Sequence, residues 1–555
     1  MKLELGEKLE LTISALSSEG AGIARIEEVP ASAQEQCTLS GSGIARLERA
    51  DIENEANINL QRGAGAIHQF PCGPNSDIAL LNSGTIKSKT RHNSQQNTDS
   101  AHPKGMVLFV KGALPNETVH AEIVELKKSY AVAKLLEVLK PSPDRNTQYN
   151  CAVANSCGGC NLAHLKYEKQ LEFKQDKVKE ALFKFAGVEN AQIDSITPSK
   201  LQQSYRNKVT MHVKRGKDNK VYLGYYEEST NCIIGTKSCS LASRLINRCV
   251  ETMANHIEAT PNTAITEITV RKLENTLLVT LFVRSESRIG IVALKTNEST
   301  NTMATASIDD ASEFTNLEAR LKQIFKDNLM LYTCKQKGHL QSSSINKSKA
   351  QTPHTPMQKK TYQLLYSNNK KELKMLGLKI KPSAASFYQV NDSVASTLYE
   401  DVIIHTKSIS PEVVIDAYCG AGLLTAKLAS CATKAVGLEI VPEAISSANE
   451  LVKQNGINNC KFILGDCATT LPKAMNNAKD ALVVLDPPRA GCHKKVIGVL
   501  SESLPSNIVY ISCEPSTLAR DLKLLLPYYN LTCIKLFDMF PQTSHIETLV
   551  FLKRK

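Results

Sequence analysis

The chain has 555 residues and a formal net charge of +12, a length that predicts about three or four domains. The positive charge is spread along the chain, which favours a protein that contacts polyanions such as nucleic acid over a broad face. No apolar run reaches the roughly 18 residues that span a bilayer, and the N-terminus lacks the pattern of a secretory signal. A membrane partner is therefore not expected, and the predicted location is the cytoplasm.

Residues 1–140 are predicted to form an OB-like β-barrel. Polar and apolar residues alternate at Met106–Val110 and Thr118–Val124, as they do in half-buried strands. A polar stretch of little periodicity, about 28–104, is interpreted as an insertion into this barrel.

Three cysteines open the next module in a Cys-x5-Cys-x2-Cys pattern, at Cys151, Cys157 and Cys160. The chain holds 16 cysteines and no export signal, so clustered thiols suggest a metal site or catalysis before disulfides. A fourth ligand must come from a distance, and Cys239 and Cys232 are the candidates. Four thiolates suit a tetrahedral zinc ion or a [4Fe-4S] cluster, and the spacing alone does not separate these two centres.

The remainder of this module, to about residue 380, is predicted to be an α+β domain with two polar insertions, near 296–316 and 341–359. Its predicted elements are one helix and two strands: Tyr167–Ala186, Asn207–Lys214 and Val221–Tyr226. From residue 381 to 555, strands and helices alternate, which predicts an α/β domain with a doubly wound parallel sheet. Its predicted strands are Val413–Ile415, Ala435–Leu438, Lys461–Leu464, Ala481–Leu485 and Ile508–Ile511.

A glycine turn in this domain indicates a nucleotide-like ligand. The first strand ends at Asp416 and continues through Gly420 and Gly422 into a helix, and Glu439 ends the next strand about 20 residues later. Glycines allow close backbone approach, and the carboxylate is suited to ribose hydroxyls. The turn lacks the third glycine of the dinucleotide fingerprint, so S-adenosylmethionine fits better than NAD. Asp466, after the third strand, is placed to reach the adenine.

Reactive side chains follow other strands of the same domain. Cys513 comes directly after a strand, Asp486 and Arg489 follow another, and Glu547 precedes a buried C-terminal run. Carboxyl ends of parallel strands meet at one edge of a sheet, so a thiol, two carboxylates and an arginine are expected to converge there. Cys513 is the expected nucleophile.

These motifs together resemble the RNA uracil-5-methyltransferase family, most closely its iron-sulfur 23S ribosomal RNA members. The resemblance covers nearly the whole chain. It is carried by the barrel, the four cysteines, Tyr205-Arg206-Asn207-Lys208, Phe387-Tyr388-Gln389-Val390-Asn391, the Asp416 to Gly422 turn, Asp486-Pro487-Pro488-Arg489-Ala490-Gly491, Ser512-Cys513-Glu514-Pro515 and His545-Ile546-Glu547.

The resemblance implies a TRAM barrel, a central iron-sulfur domain and a Rossmann-like methyltransferase domain. It implies a [4Fe-4S] cluster held by Cys151, Cys157, Cys160 and Cys239. It further implies that S-adenosylmethionine is surrounded by Gln389, Tyr418, Leu423, Glu439, Asp466 and Asp486.

Two positions depart from the family pattern, which often has a polar residue at Leu423 and usually has asparagine at Glu514. A carboxylate beside Cys513 is expected to disfavour the thiolate unless it points away or pairs with a base such as Arg489 or Arg520.

The expected reaction is methylation of a uridine at carbon 5. The Cys513 thiolate adds to carbon 6, carbon 5 attacks the methyl group, and Glu547 then removes the carbon 5 proton. The expected partner is RNA, 23S ribosomal RNA first and transfer RNA as the alternative, and no obligate protein partner is evident. A third reading is a non-catalytic RNA-binding or assembly factor.

Overall fold

The computed structural model describes residues 3–27, 105–284, 308–336, 361–367 and 372–555, apart from residues 155, 217, 219, 228, 229, 385, 387, 477 and 479. The predicted insertion at 28–104, most of the insertions near 296–316 and 341–359, and residue 387 of the Phe387 motif lie outside the described residues. Within the described part, no helix is both long and apolar enough to cross a membrane.

An N-terminal sheet of six strands has the order β1-β5-β6-β4-β3-β2. Its strands are β1 (Lys8–Thr12), β2 (Ala15–Leu16), β3 (Gly22–Glu27), β4 (Gly105–Lys111), β5 (Thr118–Leu126) and β6 (Tyr130–Lys140). Leu9 and Leu11 are buried while the residues between and beside them are exposed, because side chains alternate between the two faces of a strand. The two strands predicted in this region are confirmed by β4 and β5, while the TRAM barrel stays a prediction.

The central region contains a seven-stranded sheet in the order β10-β9-β8-β11-β12-β13-β14. Its strands are β8 (Lys208–Arg215), β9 (Val221–Tyr226), β10 (Ile233–Gly235), β11 (Ile265–Leu273), β12 (Thr276–Arg284), β13 (Leu329–Gln336) and β14 (Thr361–Ser367). Two helices, α2 (Arg244–Glu258) and α3 (Ile308–Phe325), pack on one face through apolar side chains. On the opposite face, β8 carries Thr210 and His212, while Leu278, Met330 and Tyr332 of β12 and β13 pack with apolar residues of the C-terminal region. A small hairpin follows, formed by β15 (Leu373–Met375) and β16 (Leu378–Ile380).

The C-terminal region is an α/β domain built on an eight-stranded mixed sheet, in the order β19-β18-β17-β20-β21-β23-β22-β7. Its strands are β7 (Ser195–Thr197), β17 (Val413–Ala417), β18 (Lys434–Glu439), β19 (Cys460–Leu464), β20 (Leu482–Leu485), β21 (Asn507–Ser512), β22 (Tyr529–Phe537) and β23 (Glu547–Arg554). The five strands predicted here are confirmed, and β17 to β21 are parallel as expected. β23 runs antiparallel between β21 and β22.

Helices cover both faces of this sheet, so the sheet is buried as parallel sheets generally are. The helices are α4 (Asp392–Ile409), α5 (Leu423–Leu428), α6 (Pro442–Gln454), α7 (Cys467–Met475), α8 (Lys494–Ser503) and α9 (Pro515–Leu525). Apolar residues of α7, α8 and α9 pack into the core on one face, and those of α4 and α5 pack into the core on the other.

The helix after the first three cysteines, α1 (Tyr167–Ala181), is packed against the C-terminal domain. Its Lys174 is fully buried and forms an ion pair with the equally buried Asp538, with 2.6 Å between Nζ and Oδ1. Tyr167 donates a hydrogen bond of 2.7 Å to the other carboxylate oxygen of Asp538. Gln170 exchanges two hydrogen bonds with Gln542, each of 2.9 Å. This helix therefore fixes the segment that leads into β23.

Candidate active site

A cavity of about 280 Å³ opens beside the carboxyl ends of β17 and β20, where ligands bind in open α/β sheets. Four of the six residues predicted to surround a cofactor line it: Gln389, Tyr418, Leu423 and Asp486. Asp416, Tyr388 and Tyr399 line it as well. Tyr399 had no motif of its own in the sequence, because a tyrosine within a helix is by itself an ordinary core residue.

The turn between β17 and α5 has an uncommon backbone conformation. Tyr418, Gly420 and Gly422 all have positive φ angles, of 69°, 55° and 78°. A Cβ atom at Gly422 would lie 2.6 Å from the Phe462 ring and 2.7 Å from Ala448, so a larger residue does not fit without displacing them. Tyr418 adopts the left-handed region without being glycine, which is costly and frequent at ligand sites.

The other two predicted cofactor residues lie outside the lining of this cavity. The Glu439 carboxylate accepts hydrogen bonds from the backbone N–H groups of Gly420 (3.0 Å), Ile440 (2.8 Å) and Val441 (2.9 Å), so it ties the turn to the end of β18. Asp466 is exposed and caps α7 by accepting a bond of 2.7 Å from the Ala468 N–H. Their expected contacts with ribose and adenine stay predictions.

Two carboxyl groups, the buried Asp416 and the half-buried Asp486, lie where the paired strands β17 and β20 end. Asp416 is 2% exposed and accepts a hydrogen bond of 2.5 Å from the Thr425 hydroxyl. Burial raises the pKa of Asp416 to about 7, and the pKa of Asp486 is also raised by burial to about 7. The pKa of Tyr399 is raised by burial and by the nearby carboxyl groups of Asp486 and Asp416.

Cys513 and Glu547 lie at the adjoining ends of two hydrogen-bonded strands. Ser512, the last residue of β21, pairs with Thr548 of β23; Cys513 follows Ser512, and Glu547 precedes Thr548. The pKa of the Cys513 thiol is raised to about 11, chiefly by burial and then by the carboxyl groups of Glu547 and Asp486, while Arg489 acts to lower it. Glu547 is 4% exposed. Burial, followed by the Asp486 charge, holds the pKa of Glu547 well above its ordinary value.

Arg489 and His545 form a contact at the edge of this group, with 3.2 Å between Nη2 and Nε2. Burial, together with the Arg489 charge, lowers the pKa of His545 to about 4. The imidazole is therefore neutral at physiological pH, and Arg489 supplies the positive charge beside Cys513 and Glu547. The expected convergence of a thiol, two carboxyl groups and an arginine is present in the structure.

Glu514, the neighbour of the expected nucleophile, points to the start of α9. One of its carboxylate oxygens accepts bonds from the Ser516 N–H (3.4 Å) and hydroxyl (2.8 Å), which makes Glu514 the N-cap of that helix. The carboxyl groups that raise the pKa of Cys513 are those of Glu547 and Asp486. The sequence predicted that a nearby carboxylate disfavours the Cys513 thiolate, but it assigned this effect to Glu514.

The four cysteines of the predicted cluster are neighbours. The pKa of Cys160 is raised to about 12, chiefly by burial and also by the nearby Cys239, Cys157 and Cys151. The Tyr149 hydroxyl donates a hydrogen bond of 3.2 Å to the Cys160 sulfur. Within the described ranges, no group of three or more His, Cys, Asp or Glu side chains has the geometry of a metal site.

The chain is similar to known proteins over most of its length. The family model described as "tRNA (Uracil-5-)-methyltransferase" matches residues 357–555. An uncharacterized RNA methyltransferase of Clostridium tetani is 31% identical over 447 residues, which cover 80% of this chain and 91% of the relative. One of Bacillus cereus is 30% identical over 455 residues, with 82% and 93% covered.

A solved structure shares the fold. It is the Pyrococcus abyssi tRNA (uracil-54, C5)-methyltransferase in complex with S-adenosyl-L-homocysteine, which has a TM-score of 0.55 and 22% sequence identity. The match covers 81% of this chain and 96% of that chain.

Proposed function

Because the chain belongs to the RNA uracil-5-methyltransferase family and is therefore an S-adenosylmethionine-dependent enzyme acting on RNA, we propose that it methylates carbon 5 of one uridine in 23S ribosomal RNA. The observation that carries the proposal is that Cys513 and Glu547 lie close to each other and to Asp486, which lines the cavity at the ends of β17 and β20. A thiol nucleophile and a carboxylate base beside one cavity are the two groups that this reaction needs.

Carbon 5 of uracil is a poor nucleophile, so the ring must first be activated. The Cys513 thiolate adds to carbon 6, and carbon 5 becomes enolate-like. S-adenosylmethionine, when bound, supplies an electrophilic methyl group to that carbon. Glu547 then accepts the carbon 5 proton, the ring double bond returns and Cys513 leaves as a thiolate.

The charges around the two groups suit these roles. A carboxylate of ordinary pKa is a weak base toward a carbon-bound proton. The raised pKa of Glu547 makes its carboxylate form a stronger base and also reduces the fraction of Glu547 that is in that form. Arg489 is the group that lowers the pKa of Cys513 and thereby increases the thiolate fraction.

The cavity fits a cofactor with an adenosine part, since it joins a glycine turn to carboxyl groups and aromatic rings. We assign Gln389, Tyr418, Leu423 and Asp486 to its walls. Glu439 and Asp466 complete the proposed set as contacts with ribose and adenine, a role that rests on the resemblance to the family.

The described residues contain no group with the geometry for a single metal ion, but four neighbouring thiols with a tyrosine hydroxyl on one sulfur have the donor chemistry of an iron-sulfur centre, whose sulfurs take hydrogen bonds from surrounding donors. We therefore propose that Cys151, Cys157, Cys160 and Cys239 hold a [4Fe-4S] cluster that stabilises the fold of its segment. Iron and sulfide analysis of protein purified without oxygen tests this assignment. Zinc in place of iron would contradict it.

An RNA substrate is supported by the polar face of the central sheet. Tyr226 is 39% exposed there, with the His212 ring 4.5 Å from its own and the Lys214 ammonium 4.7 Å from its centroid. An exposed ring beside a cation suits an unstacked base and its phosphate. The target uridine must leave its stack to reach Cys513, which favours a loop or a remodelled RNA segment.

Transfer RNA is the second candidate substrate, because the matching family model and the solved Pyrococcus structure both carry that substrate in their descriptions. Ribosomal RNA is preferred because the four cysteines resemble the iron-sulfur members of the family. Mapping the methylated nucleotide in RNA from cells with and without the gene separates the two substrates.

Transfer of a labelled methyl group to RNA by the purified protein is the direct test. Wild-type protein should label carbon 5 of one uridine, and Cys513→Ala should abolish the labelling. The matched control is Cys431→Ala, a cysteine three residues after the end of α5, whose sulfur contacts the Lys427 carbonyl. A covalent complex between Cys513 and 5-fluorouridine RNA would exclude a non-catalytic RNA-binding factor. Unchanged labelling by Cys513→Ala would overturn the proposal.

A further inference from the structure

Three segments that are distant in sequence meet at the side chain of Asn161. Its Oδ1 accepts a hydrogen bond of 2.9 Å from the Ser544 N–H. Its Nδ2 donates one of 2.9 Å to the Ser544 hydroxyl and one of 2.7 Å to the Glu19 carbonyl. One amide therefore joins the N-terminal sheet, the cysteine segment and the approach to β23.

Ser544 is held from other directions too. It is fully buried, and its carbonyl accepts a hydrogen bond of 3.2 Å from Lys177 on α1. Two residues earlier, the Gln542 carbonyl accepts one of 3.0 Å from the Leu162 N–H. The Asn161–Leu162 dipeptide thus fixes residues 542–544 through side-chain and backbone contacts.

This anchor lies three residues before the proposed base. His545 follows Ser544 and contacts Arg489, Ile546 is fully buried, and Glu547 is the first residue of β23. With so short a connection, a displacement of Ser544 is passed to Glu547. Misplacement of a reacting group by about 1 Å can cost about 10²-fold in rate.

We infer that Asn161 is a positioning residue for Glu547, an inference that rests on the proposed function. The step that it serves is the last one of the reaction. The C5–H bond breaks, the proton goes to the Glu547 carboxylate, and the electron pair forms the C5=C6 double bond as the C6–S bond breaks. A displaced base slows this step, so methylated RNA stays covalently attached to Cys513.

The test compares Asn161→Ala with Asn146→Ala in the full-length holoprotein. Asn146 bonds to the Ala163 carbonyl (3.1 Å) and the Gln148 N–H (3.0 Å), both within its own segment, so it is a matched control. Asn161→Ala should lower kcat between about tenfold and 10²-fold and leave KM within about twofold. The fraction of enzyme in a denaturation-resistant, methylated RNA complex should rise about tenfold at steady state, whereas Asn146→Ala should match wild type.

A rise in that fraction separates positioning from general destabilisation, because an unfolded enzyme forms no adduct. An unchanged fraction would overturn the inference even if turnover falls. If thermal unfolding shows that Asn161→Ala does not fold, Ser544→Ala is the alternative test. It removes only one hydroxyl and should also raise the fraction of enzyme in the denaturation-resistant RNA complex. Wild-type protein that neither methylates RNA nor forms a Cys513 adduct would instead refute the proposed function.

Discussion

The proposed nucleophile carries its proton in the free protein. Burial raises the pKa of Cys513 to about 11, with Glu547 and Asp486 acting in the same direction and Arg489 against them. The thiolate is therefore a small fraction of Cys513 at neutral pH, and the Arg489 charge increases that fraction.

Arg489→Ala should reduce the reactivity of Cys513. Loss of the guanidinium raises the pKa of the thiol, and each unit lowers the thiolate fraction tenfold while the pH stays below the pKa. The rate of Cys513 alkylation, measured by mass spectrometry from pH 7 to 9, should rise with pH in both proteins. The rate in Arg489→Ala should be about tenfold lower than in wild type at every pH. Lys494→Ala, an exposed lysine at the start of α8, should match wild type, and coincident lines for Arg489→Ala would contradict the prediction.

Asp486 should lower the stability of the protein as the pH rises. Its pKa is about 7 in the folded chain and near 3.8 ordinarily, so the folded state binds more protons between these values. Stability supplied by this group is thus present at low pH and lost as the pH rises through about 7. Asp486→Asn should melt at a temperature higher by roughly 2–4 °C at pH 8 and show little gain near pH 4. Asp480→Asn, an exposed carboxylate, should show no such pH dependence.

At the scale of elements, the pairing of α1 with the segment before β23 depends on a buried ion pair. Lys174 and Asp538 are both fully buried, and Tyr167 supplies a further donor to the carboxylate. Removal of one partner from such a pair leaves an uncompensated charge, which is costly, whereas replacement of both is often tolerated.

Lys174→Met and Asp538→Asn should each lower the free energy of unfolding by about 3–5 kcal/mol. The double variant should recover part of that loss, because no buried charge then lacks its partner. Urea unfolding monitored by fluorescence and circular dichroism measures the effect. Lys169→Met, which breaks an exposed pair with Glu172, should change stability by less than about 1 kcal/mol. Additive losses in the double variant would contradict this account.

The polar face of the central sheet should contribute to RNA affinity. Tyr226→Ala should raise KM for RNA roughly tenfold, because stacking on one base contributes about 1–3 kcal/mol. Lys214→Ala should reduce the slope of log affinity against log salt by about one. Lys237→Ala, whose ammonium is paired with Glu258 near α2, serves as control. Equal effects in all three variants would argue against a specific contact at Tyr226.

Prediction from sequence succeeded where a pattern repeats over several residues. The strands of the C-terminal domain were recognisable because five apolar runs alternate with helical segments, and Cys513 was placed by the strand before it. The sequence did not predict β7, because three residues are too few to show the alternation of apolar and polar residues that marks a strand. The amide bonds of Glu439 and the contacts of Asn161 were not predictable either, because they join groups that only the tertiary structure brings together.

At the scale of the whole molecule, the central and C-terminal regions are in contact across the boundary predicted between them. β7 (Ser195–Thr197) pairs with β22, and Val178, Ala181 and Leu182 belong to the same core as α9. The domain boundaries at 140 and 380 stay predictions, and these contacts cross the second of them.

A fragment of residues 381–555 should therefore aggregate when produced alone. Without Ser195–Thr197, β22 becomes an unpaired edge strand, and the apolar surface under α1 is uncovered. Light scattering at increasing concentration measures this association, with a fragment of residues 165–555 as the matched control that retains β7 and α1. A monodisperse 381–555 fragment would contradict the prediction.

The same edge strand has a consequence for how such a gene could be recombined. The family model spans 357–555. Transfer of that unit into another protein would omit β7, the strand at the edge of its sheet, and α1, the helix that holds the segment before Glu547. Exchange at that border would transfer the proposed catalytic residues without the elements that pack against them, so a functional exchange has to include β7 and α1.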